Sequence, residues 1–247
     1  MEGMILAAGL GTRLGDLTRD TPKALIEVAG VPMLERVARR LIDAGVDRLI
    51  VNAHHHADRI VAFLEENSGF GVDFAVSRED DRPLDTGGGV SHARALFRGD
   101  GPFILHNVDI LSSIPLRRMF DEHAARDPRP LATLAVMRRS TSRYLLFDDD
   151  GLAGRVDHGK DLRILARPER GEVRELAFAG VHVVSPEIFE MIDQEGAFSI
   201  LDVYLAAVGR GFRVEPYLIP AEGWIDIGRP EQLARAEKAM AGAESER

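Results

Sequence analysis

The chain has 247 residues, enough for one large α/β domain with an extensive hydrophobic core, and its formal net charge is −9 with a pI near 5.4. This acidic balance argues against nucleic acid or an anionic membrane as a partner, while a few basic side chains in a cleft can still bind an anionic substrate. The absence of cysteine excludes disulfides, thiolate catalysis and cysteine-ligated zinc.

Apolar runs of strand length alternate with helical patterns along the sequence. The predicted strands cover residues 4–8, 25–28, 48–52, 72–76, 103–106, 131–137 and 177–184. The predicted helices cover residues 32–45, 90–97, 116–126, 186–193 and 200–208, with one further helix that contains Ile60, Val61 and Leu64 and another that begins at Pro230.

This alternation predicts a three-layer α/β fold with a doubly wound, mostly parallel (mixed) sheet of Rossmann-like type. We expect a single domain over residues 1–247. The polar segment 148–175 is interpreted as an excursion over the active face, and residues 239–247 as a frayed polar tail. The N-terminus does not resemble a signal peptide, and no apolar run has the length of a membrane span, so we expect a cytoplasmic protein.

A glycine-rich turn follows the first predicted strand, in the run LAAGLGTRL at residues 6–14, and TPK follows at residues 21–23. Gly9 and Gly11 allow backbone N–H groups to approach a ligand closely, which suits phosphates and a flat base. Arg13 and Lys23 add two positive charges to the same loop. The combination indicates a phosphate-binding loop.

Other interpretations of this turn differ in what they require. A P-loop needs Gly-Lys-Ser/Thr after four intervening residues, and that sequence is missing. A dinucleotide-binding fold needs a helix directly after the glycines, where this chain has a poor helix former, although Glu27 stands where a ribose-binding acid would be. The turn could also be a tight structural connection with Arg13 in solvent.

Three consecutive glycines in the run DTGGG at residues 85–89 precede the predicted helix 90–97. Glycine inside a helix costs roughly 0.5–1 kcal/mol relative to alanine, so packing alone does not account for three of them. They indicate a surface where backbone meets a nucleobase, with a flexible loop as the alternative. The acidic run at residues 79–81 is interpreted as a solvated edge.

Two aspartates end short apolar strands, Asp109 after residues 103–106 and Asp226 before Gly228 and the helix that begins at Pro230. Open α/β sheets bind ligands at the carboxyl ends of their strands, although a strand-ending aspartate can also cap the next turn. Gly180 lies inside a predicted strand, where glycine often marks the close approach of a ligand or of another backbone segment.

The glycine-rich opening and these later landmarks resemble the sugar-1-phosphate nucleotidyltransferases, the glucose-1-phosphate thymidylyltransferase-like enzymes. Within that family the chain is most similar to the short enzymes that transfer uridylyl to N-acetylmuramate 1-phosphate. The resemblance covers nearly the whole chain. It implies an enzyme with the nucleotidyltransferase fold that joins a nucleoside triphosphate, with UTP favoured, to a sugar 1-phosphate and releases pyrophosphate.

The resemblance also implies the roles of individual residues. Arg13, Lys23 and Asp109 would be catalytic, and Asp109 and Asp226 would bind Mg²⁺. Asn107 and Gly180 would bind the sugar. The nucleotide would be bound by Ala8, Gly9, Gly11, Thr12, Arg13, Lys23 and Gly87. The nucleotide-binding part would span about 1–110 and the sugar-binding part about 111–228, with a C-terminal helix at about 230–241.

Two further groups of side chains have more than one interpretation in the sequence. The family's Glu-Lys-Pro run is missing before the strand 177–184, and Lys160, Arg163 and Arg167 are available instead, although they also suit a solvated basic loop. Arg143-Tyr144 could close over the sugar. The triplet His54-His55-His56 is interpreted as a solvated turn, because adjacent side chains cannot all reach one ion without strain.

Two rival functions are compatible with the same fold class. A non-catalytic regulatory subunit that senses a sugar nucleotide should lack the lysine or the paired acids, and this chain has Lys23, Asp109 and Asp226. A dehydrogenase would bind NAD through the glycine-rich turn.

Overall fold

The computed structural model describes residues 1–245, with the backbone alone for residues 241–245. Fourteen strands are described: β1 (Glu2–Leu6), β2 (Glu27–Val28), β3 (Val31–Pro32), β4 (Arg48–Ala53), β5 (Asp73–Arg78), β6 (Phe103–Asn107), β7 (Ile110–Leu111), β8 (Ala132–Met137), β9 (Arg143–Asp148), β10 (Gly151–Asp157), β11 (Leu162–Leu165), β12 (Arg174–Val184), β13 (Val214–Leu218) and β14 (Ile225–Asp226). The α-helices are α1 (Met33–Asp43), α2 (Ala57–Glu66), α3 (Asp85–His92), α4 (Leu116–Ala124), α5 (Ile200–Gly209) and α6 (Pro230–Ser245).

One large mixed sheet organises the molecule, with strand order β11-β10-β9-β12-β6-β1-β4-β5. Strand β8 also pairs with β12, and β13 pairs with β8. Its centre is parallel, because β1 pairs with both β4 and β6, and β4 pairs with β5. The long strand β12 is antiparallel to β6 and β8. This architecture confirms the predicted α/β fold class.

Strand β1 is buried on both faces, as expected for a central strand of a parallel sheet. Ile5 and Ala7 pack on one face, in the core that includes apolar residues of α1, α2, α4 and α6. Met4 and Leu6 pack on the other face, with residues of α3 and α5. The register aligns Leu6 with Asn52 and Asn107, so the carboxyl ends of three strands meet at one edge.

Half of the segment 148–175, predicted as an excursion over the active face, belongs to strands of the sheet. Strands β10 and β11 extend the sheet beyond β9 as an antiparallel meander. These strands are short and carry arginine, aspartate and glycine among their apolar residues, which obscured the period-2 pattern in the sequence.

Helix α3 begins at Asp85 rather than at residue 90, so the three glycines lie inside a helix and the loop alternative is wrong. A Cβ atom at Gly88 would come within 2.3 Å of the carbonyl oxygen of Gly196. One at Gly87 would come within 2.5 Å of the Phe198 ring, and one at Gly89 within 2.6 Å of the Asn52 amide. Close packing thus requires all three glycines, contrary to the argument that packing could not account for them.

Other predicted boundaries also need correction. The strand predicted at 25–28 is a 3₁₀ turn at Lys23–Leu25 followed by the two-residue strand β2, and the helix predicted at 186–193 is a 3₁₀ helix at Pro186–Glu190. Helix α6 continues to Ser245 through most of the predicted frayed tail, whose last two residues lie outside the described part. Within residues 1–245 no helix has the length and apolarity that crossing a membrane requires.

The close contact at Gly88 makes the substitution Gly88→Ala a test of the packing between α3 and the loop before α5. We expect it to lower the free energy of unfolding by about 1–3 kcal/mol, because the methyl group must displace backbone, despite the better helix propensity of alanine. Gly101→Ala is the control, since nothing lies within 4 Å of its Cβ position. Urea unfolding measures both, and a Gly88→Ala protein as stable as Gly101→Ala would contradict this packing.

Candidate active site

A cleft runs along the carboxyl edge of the central strands and contains two adjoining cavities. The larger has a volume of about 560 Å³ and the smaller about 190 Å³. The wall between them is shared, since both cavities are lined by Asp85, Thr86, Asn107 and Asp109. Ligands in the two cavities would therefore meet at these residues.

The glycine-rich loop leaves β1 and borders the smaller cavity with Ala8 and Gly9. Gly11 has a φ of 67°, and its carbonyl oxygen accepts a hydrogen bond from Leu14 N at 2.8 Å. A Cβ atom at Gly11 would also lie 2.8 Å from Thr18 Cγ2, so both the backbone conformation and the available space require glycine here. Thr12 is exposed on the following 3₁₀ helix and lines neither cavity.

Lys23 and Asp109 form an ion pair at the junction of the two cavities. Lys23 is buried, with 9% of its surface exposed, and lies in the short 3₁₀ turn after Pro22. A lysine at this depth needs a charged partner, because an unpaired buried ammonium is strongly destabilising. The pair therefore fixes a positive charge beside the wall that the cavities share.

Asp226 is held beside Asp109 by the pairing of β7 with β14, which aligns Asp226 with Ile110. Ile227 N donates to the carbonyl oxygen of Asp109 at 2.9 Å, and both carboxylates line the larger cavity. Asp226 Oδ1 accepts a hydrogen bond from Gly228 N at 2.8 Å.

Gly228 shows how closely the charged groups of the cleft converge. A Cβ atom there would lie 2.8 Å from Asp226 Oδ1, 3.2 Å from Arg13 Nη2 and 3.4 Å from Lys23 Nζ. The structure thus brings together Arg13, Lys23, Asp109 and Asp226, which are spread over most of the sequence.

Asn107 and Gly180 meet in the larger cavity. Gly180 has a φ of 78°, at a register shift in β12, and a Cβ there would lie 2.8 Å from Ile110 Cγ1 and 3.1 Å from Asn107 Nδ2. The Asn107 side-chain oxygen is buried without a hydrogen-bond partner among the described residues, which suits a group that awaits a ligand. Trp224 Nε1 donates to the carbonyl oxygen of Ala179 at 2.9 Å and holds the strand beside this point.

The smaller cavity is supported by a buried polar network that the sequence did not reveal. Asn52 Oδ1 accepts from Ala7 N at 2.7 Å, and Asn52 Nδ2 donates to Glu79 at 2.6 Å. Glu79 also accepts from Leu84 N at 2.8 Å. The interpretation of Glu79 as part of a solvated edge is therefore wrong, since only 3% of its surface is exposed, whereas Asp80 and Asp81 are exposed as expected.

Gly87 lies just behind the cavity wall. Its N–H donates to the carbonyl oxygen of Phe198 at 2.8 Å, and its neighbours Asp85 and Thr86 line both cavities in its place. Thr86 Oγ1 accepts from Ile200 N at 3.0 Å, which ties α3 to the start of α5. A role for Gly87 in nucleotide binding stays a prediction, and it would be indirect in this geometry.

Basic side chains line the outer part of the larger cavity, and two of them, Arg139 and Arg155, were not singled out from the sequence. Lys160, Arg143 and Tyr144 line it, as do Arg139 and Arg155. The other two basic candidates are elsewhere. Arg163, on β11, pairs with Glu169. Arg167 donates two hydrogen bonds, at 2.8 and 2.5 Å, to the buried Asp148, and these bonds hold the pKa of that carboxyl well below its ordinary value.

The histidine triplet forms a half-buried turn before α2. His54 Nδ1 contacts the carbonyl oxygen of Glu79, and His56 Nε2 lies 3.1 Å from that of Arg19. Contacts with backbone carbonyl oxygens thus explain the positions of two of the three imidazole rings.

Comparison with known proteins identifies the class of this fold and cleft. Residues 2–242 match the family described as Nucleotidyl transferase. An N-acetylmuramate alpha-1-phosphate uridylyltransferase of Caulobacter vibrioides is 37% identical over 246 residues, covering 97% of each sequence. A protein of the same name from Neisseria meningitidis serogroup B is 32% identical, covering 98% of this chain and 99% of its own. The chain therefore belongs to the nucleotidyl transferase family.

The fold is shared with a solved UDP-glucose pyrophosphorylase complexed with UDP-glucose. That structure superposes with a TM-score of 0.77 at 17% identity and covers 98% of both chains. Together these findings confirm the predicted resemblance to sugar-1-phosphate nucleotidyltransferases and the prediction of a nucleotidyltransferase enzyme.

A buried histidine forms part of the floor of the larger cavity. His182 is 1% exposed, and its Nδ1 lies 2.9 Å from the hydroxyl of Tyr204. Burial, with a smaller contribution from nearby His106, lowers the pKa of His182 from 6.5 to about 3. The ring is therefore neutral in the folded protein throughout the neutral and mildly acidic range.

This pKa predicts a pH dependence of stability. Because the folded pKa lies below the unfolded one, the unfolded chain takes up the proton first, and stability falls as the pH drops below 6.5. Between pH 7 and pH 5 we expect His182 to contribute a loss of about 2 kcal/mol. His182→Gln keeps a polar partner for Tyr204 but removes the titration. Urea unfolding at both pH values should show a smaller loss in this variant, and equal losses would contradict the assignment.

Proposed function

We propose that this enzyme transfers the uridylyl group of UTP to N-acetylmuramate 1-phosphate and releases pyrophosphate. The observation that carries the proposal is the convergence of Lys23, Arg13, Asp109 and Asp226 where two cavities of unequal size meet. The smaller cavity would take the base and ribose and the larger one the sugar phosphate. The choice of UTP and of this sugar is supported by the names of the two relatives that match the whole chain.

The donor set fits Mg²⁺. Magnesium binds one or two carboxylates and fills its octahedron with phosphate oxygens and water. Asp109 uses only Oδ2 for Lys23 and Asp226 only Oδ1 for Gly228, so each retains an oxygen without a donor among the described residues. The described residues contain no group of three or more acidic or histidine side chains that could hold a metal. A bound Mg²⁺ ion would therefore depend on Asp109, Asp226 and the phosphates of the substrates.

The proposed reaction is an in-line displacement at the α-phosphorus of UTP. An oxygen of the sugar phosphate forms the new bond to phosphorus while the bond to the β-phosphate oxygen breaks and pyrophosphate leaves. The attacking oxygen is already an anion, so no general base is needed, and catalysis rests on positioning and charge. Lys23 and Arg13 would hold the triphosphate and the charge that grows on the leaving pyrophosphate. Magnesium, when bound, would offset the repulsion between the two anionic substrates.

Substrate specificity tests the proposal directly. UTP, dTTP, CTP and GTP should each be paired with the 1-phosphates of N-acetylmuramate, N-acetylglucosamine, glucose and mannose, and pyrophosphate release followed. We expect the highest kcat/KM for UTP with N-acetylmuramate 1-phosphate. A clear preference for GTP, or for a sugar without a carboxylate, would contradict the assignment, and turnover with none of them would contradict catalysis of this type.

The two acids should act as one unit. Asp109→Asn and Asp226→Asn should each lower kcat of the folded protein by about a hundredfold or more, because each removes a charge at the reacting centre. Asp109→Asn should also lower stability, since it leaves the buried Lys23 without its charged partner. The double variant should be little worse than either single variant, since residues that serve one ion are strongly non-additive.

Turnover and thermal unfolding should be measured on all four proteins across a magnesium titration. Asp80→Asn is the control, because Asp80 is an exposed acid outside both cavities. If the two acids were independent caps, each substitution would cost roughly 0.5–2 kcal/mol of stability, additively, and the folded fraction would keep its activity. That result would eliminate the shared metal site.

A further inference from the structure

Three basic side chains at the outer end of the larger cavity stand without an ion-pair partner among the described residues. Arg139, Arg143 and Lys160, together called the outer basic cluster, form no ion pair within 4.0 Å with a described carboxylate. Arg155, in contrast, lines the same cavity but is neutralised by Asp202 at 2.7 Å.

Arg139 is the best-defined member of this cluster. It is half-buried, and its guanidinium carbon lies 4.8 Å from the centroid of the Trp224 ring. That indole is itself fixed by its hydrogen bond to Ala179. Arg139 Nε is buried without a hydrogen-bond partner among the described residues. An arginine that is held in place by an aromatic ring, partly desolvated and without an anion suits a ligand that brings one.

Arg143 and Lys160 stand on the same side of the cavity, where β9 begins and β10 ends. Arg143 is aligned with Asp157 in the register of β9 with β10, and Lys160 N donates to the carbonyl oxygen of Asp157 at 3.1 Å. Among the described residues of this corner, Asp157 is the one acid that lines the cavity, and its Oδ1 accepts a hydrogen bond from Gly159 N at 3.0 Å. With Arg139 included, three positive charges face one negative charge.

The phosphates of the reaction do not need these cations. Lys23 and Arg13 already stand beside Asp109 and Asp226, where the two cavities meet and where the α-phosphate and the sugar phosphate must come together. The outer basic cluster belongs to the larger cavity alone. Its charge is therefore available for a second anionic group on the same substrate.

We infer that the outer basic cluster binds a carboxylate carried by the sugar itself, with Arg139 as its main donor. The inference rests on the proposed function and deepens it, because it assigns the residues that distinguish an acidic sugar from a neutral one. The planar guanidinium of Arg139 can donate two parallel hydrogen bonds to a carboxylate, and Arg143 and Lys160 add charge at the mouth of the cavity.

The 1-phosphates of N-acetylmuramate and N-acetylglucosamine make a matched pair of substrates for the test. N-acetylmuramate is N-acetylglucosamine with a lactic acid ether on O3, so the two 1-phosphates share the ring, the acetamido group and the phosphate. A side chain that binds the phosphate affects both substrates alike. One that binds the carboxylate affects N-acetylmuramate 1-phosphate selectively.

The experiment measures kcat/KM for both sugar phosphates, with UTP saturating, in the wild type and in Arg139→Gln, Arg143→Ala and Lys160→Ala. Arg163→Ala is the control, since Arg163 is a basic residue of the neighbouring β11 that pairs with Glu169 outside the cavity. We expect the ratio of N-acetylmuramate to N-acetylglucosamine 1-phosphate to fall at least tenfold in Arg139→Gln, less in the other two variants, and not at all in the control. Arg139→Lys should restore little of it, because lysine lacks the planar pair of donors.

Two results would overturn the inference in different ways. If the wild type prefers N-acetylmuramate 1-phosphate but the three variants lose both substrates equally, the cluster serves the shared phosphate, and the proposed function stands without it. If the wild type prefers N-acetylglucosamine 1-phosphate, the proposed sugar is wrong, and the inference fails with it. A thermal unfolding measurement on each variant separates either outcome from misfolding.

Discussion

The pairing of β7 with β14 is the constraint on which the cleft depends. Each strand has two residues, yet their backbone hydrogen bonds place Asp226 beside Asp109, from a distant part of the sequence. The ion pair between Lys23 and Asp109 ties the glycine-rich loop to the same point. Because Gly228 has no side chain, the side chains of Arg13, Lys23 and Asp226 can converge around it. The resulting cluster has both signs of charge, as a site for two anionic substrates and a cation requires.

Much of the fold was predictable from local patterns. The alternation of apolar runs with helical spacing indicated the parallel centre of the sheet, because strands buried on both faces appear as continuous apolar segments, as β1 and β4 do. The glycine-rich turn was recognisable because its glycines meet a local requirement. Only glycine fits at position 11, given its positive φ and the contact with Thr18. The strand-end position of Asp109 and Asp226 was also local information, and the resemblance to a family supplied the proposed roles.

The features that were missed depend on contacts between distant segments. Nothing near Glu79 indicates that its carboxylate is buried against Asn52, and nothing near residues 87–89 indicates that the loop before α5 excludes side chains there. Arg139 resembles any arginine after a strand until Trp224 is seen beneath it. Such contacts set which residues form the cavities, so composition and periodicity predict the fold better than they predict the lining of the site.

The most direct test of a metal site shared by Asp109 and Asp226 is the position of a metal ion in a crystal grown with UTP and Mn²⁺. Manganese has the oxygen-ligand preference of Mg²⁺ and scatters anomalously. We expect one strong anomalous peak in direct contact with the carboxylates of both Asp109 and Asp226, with phosphate oxygens of the nucleotide in the remaining coordination sphere. A peak that contacts neither aspartate would contradict the shared metal site. So would nucleotide bound in the cleft with no anomalous peak between its phosphates and the two aspartates.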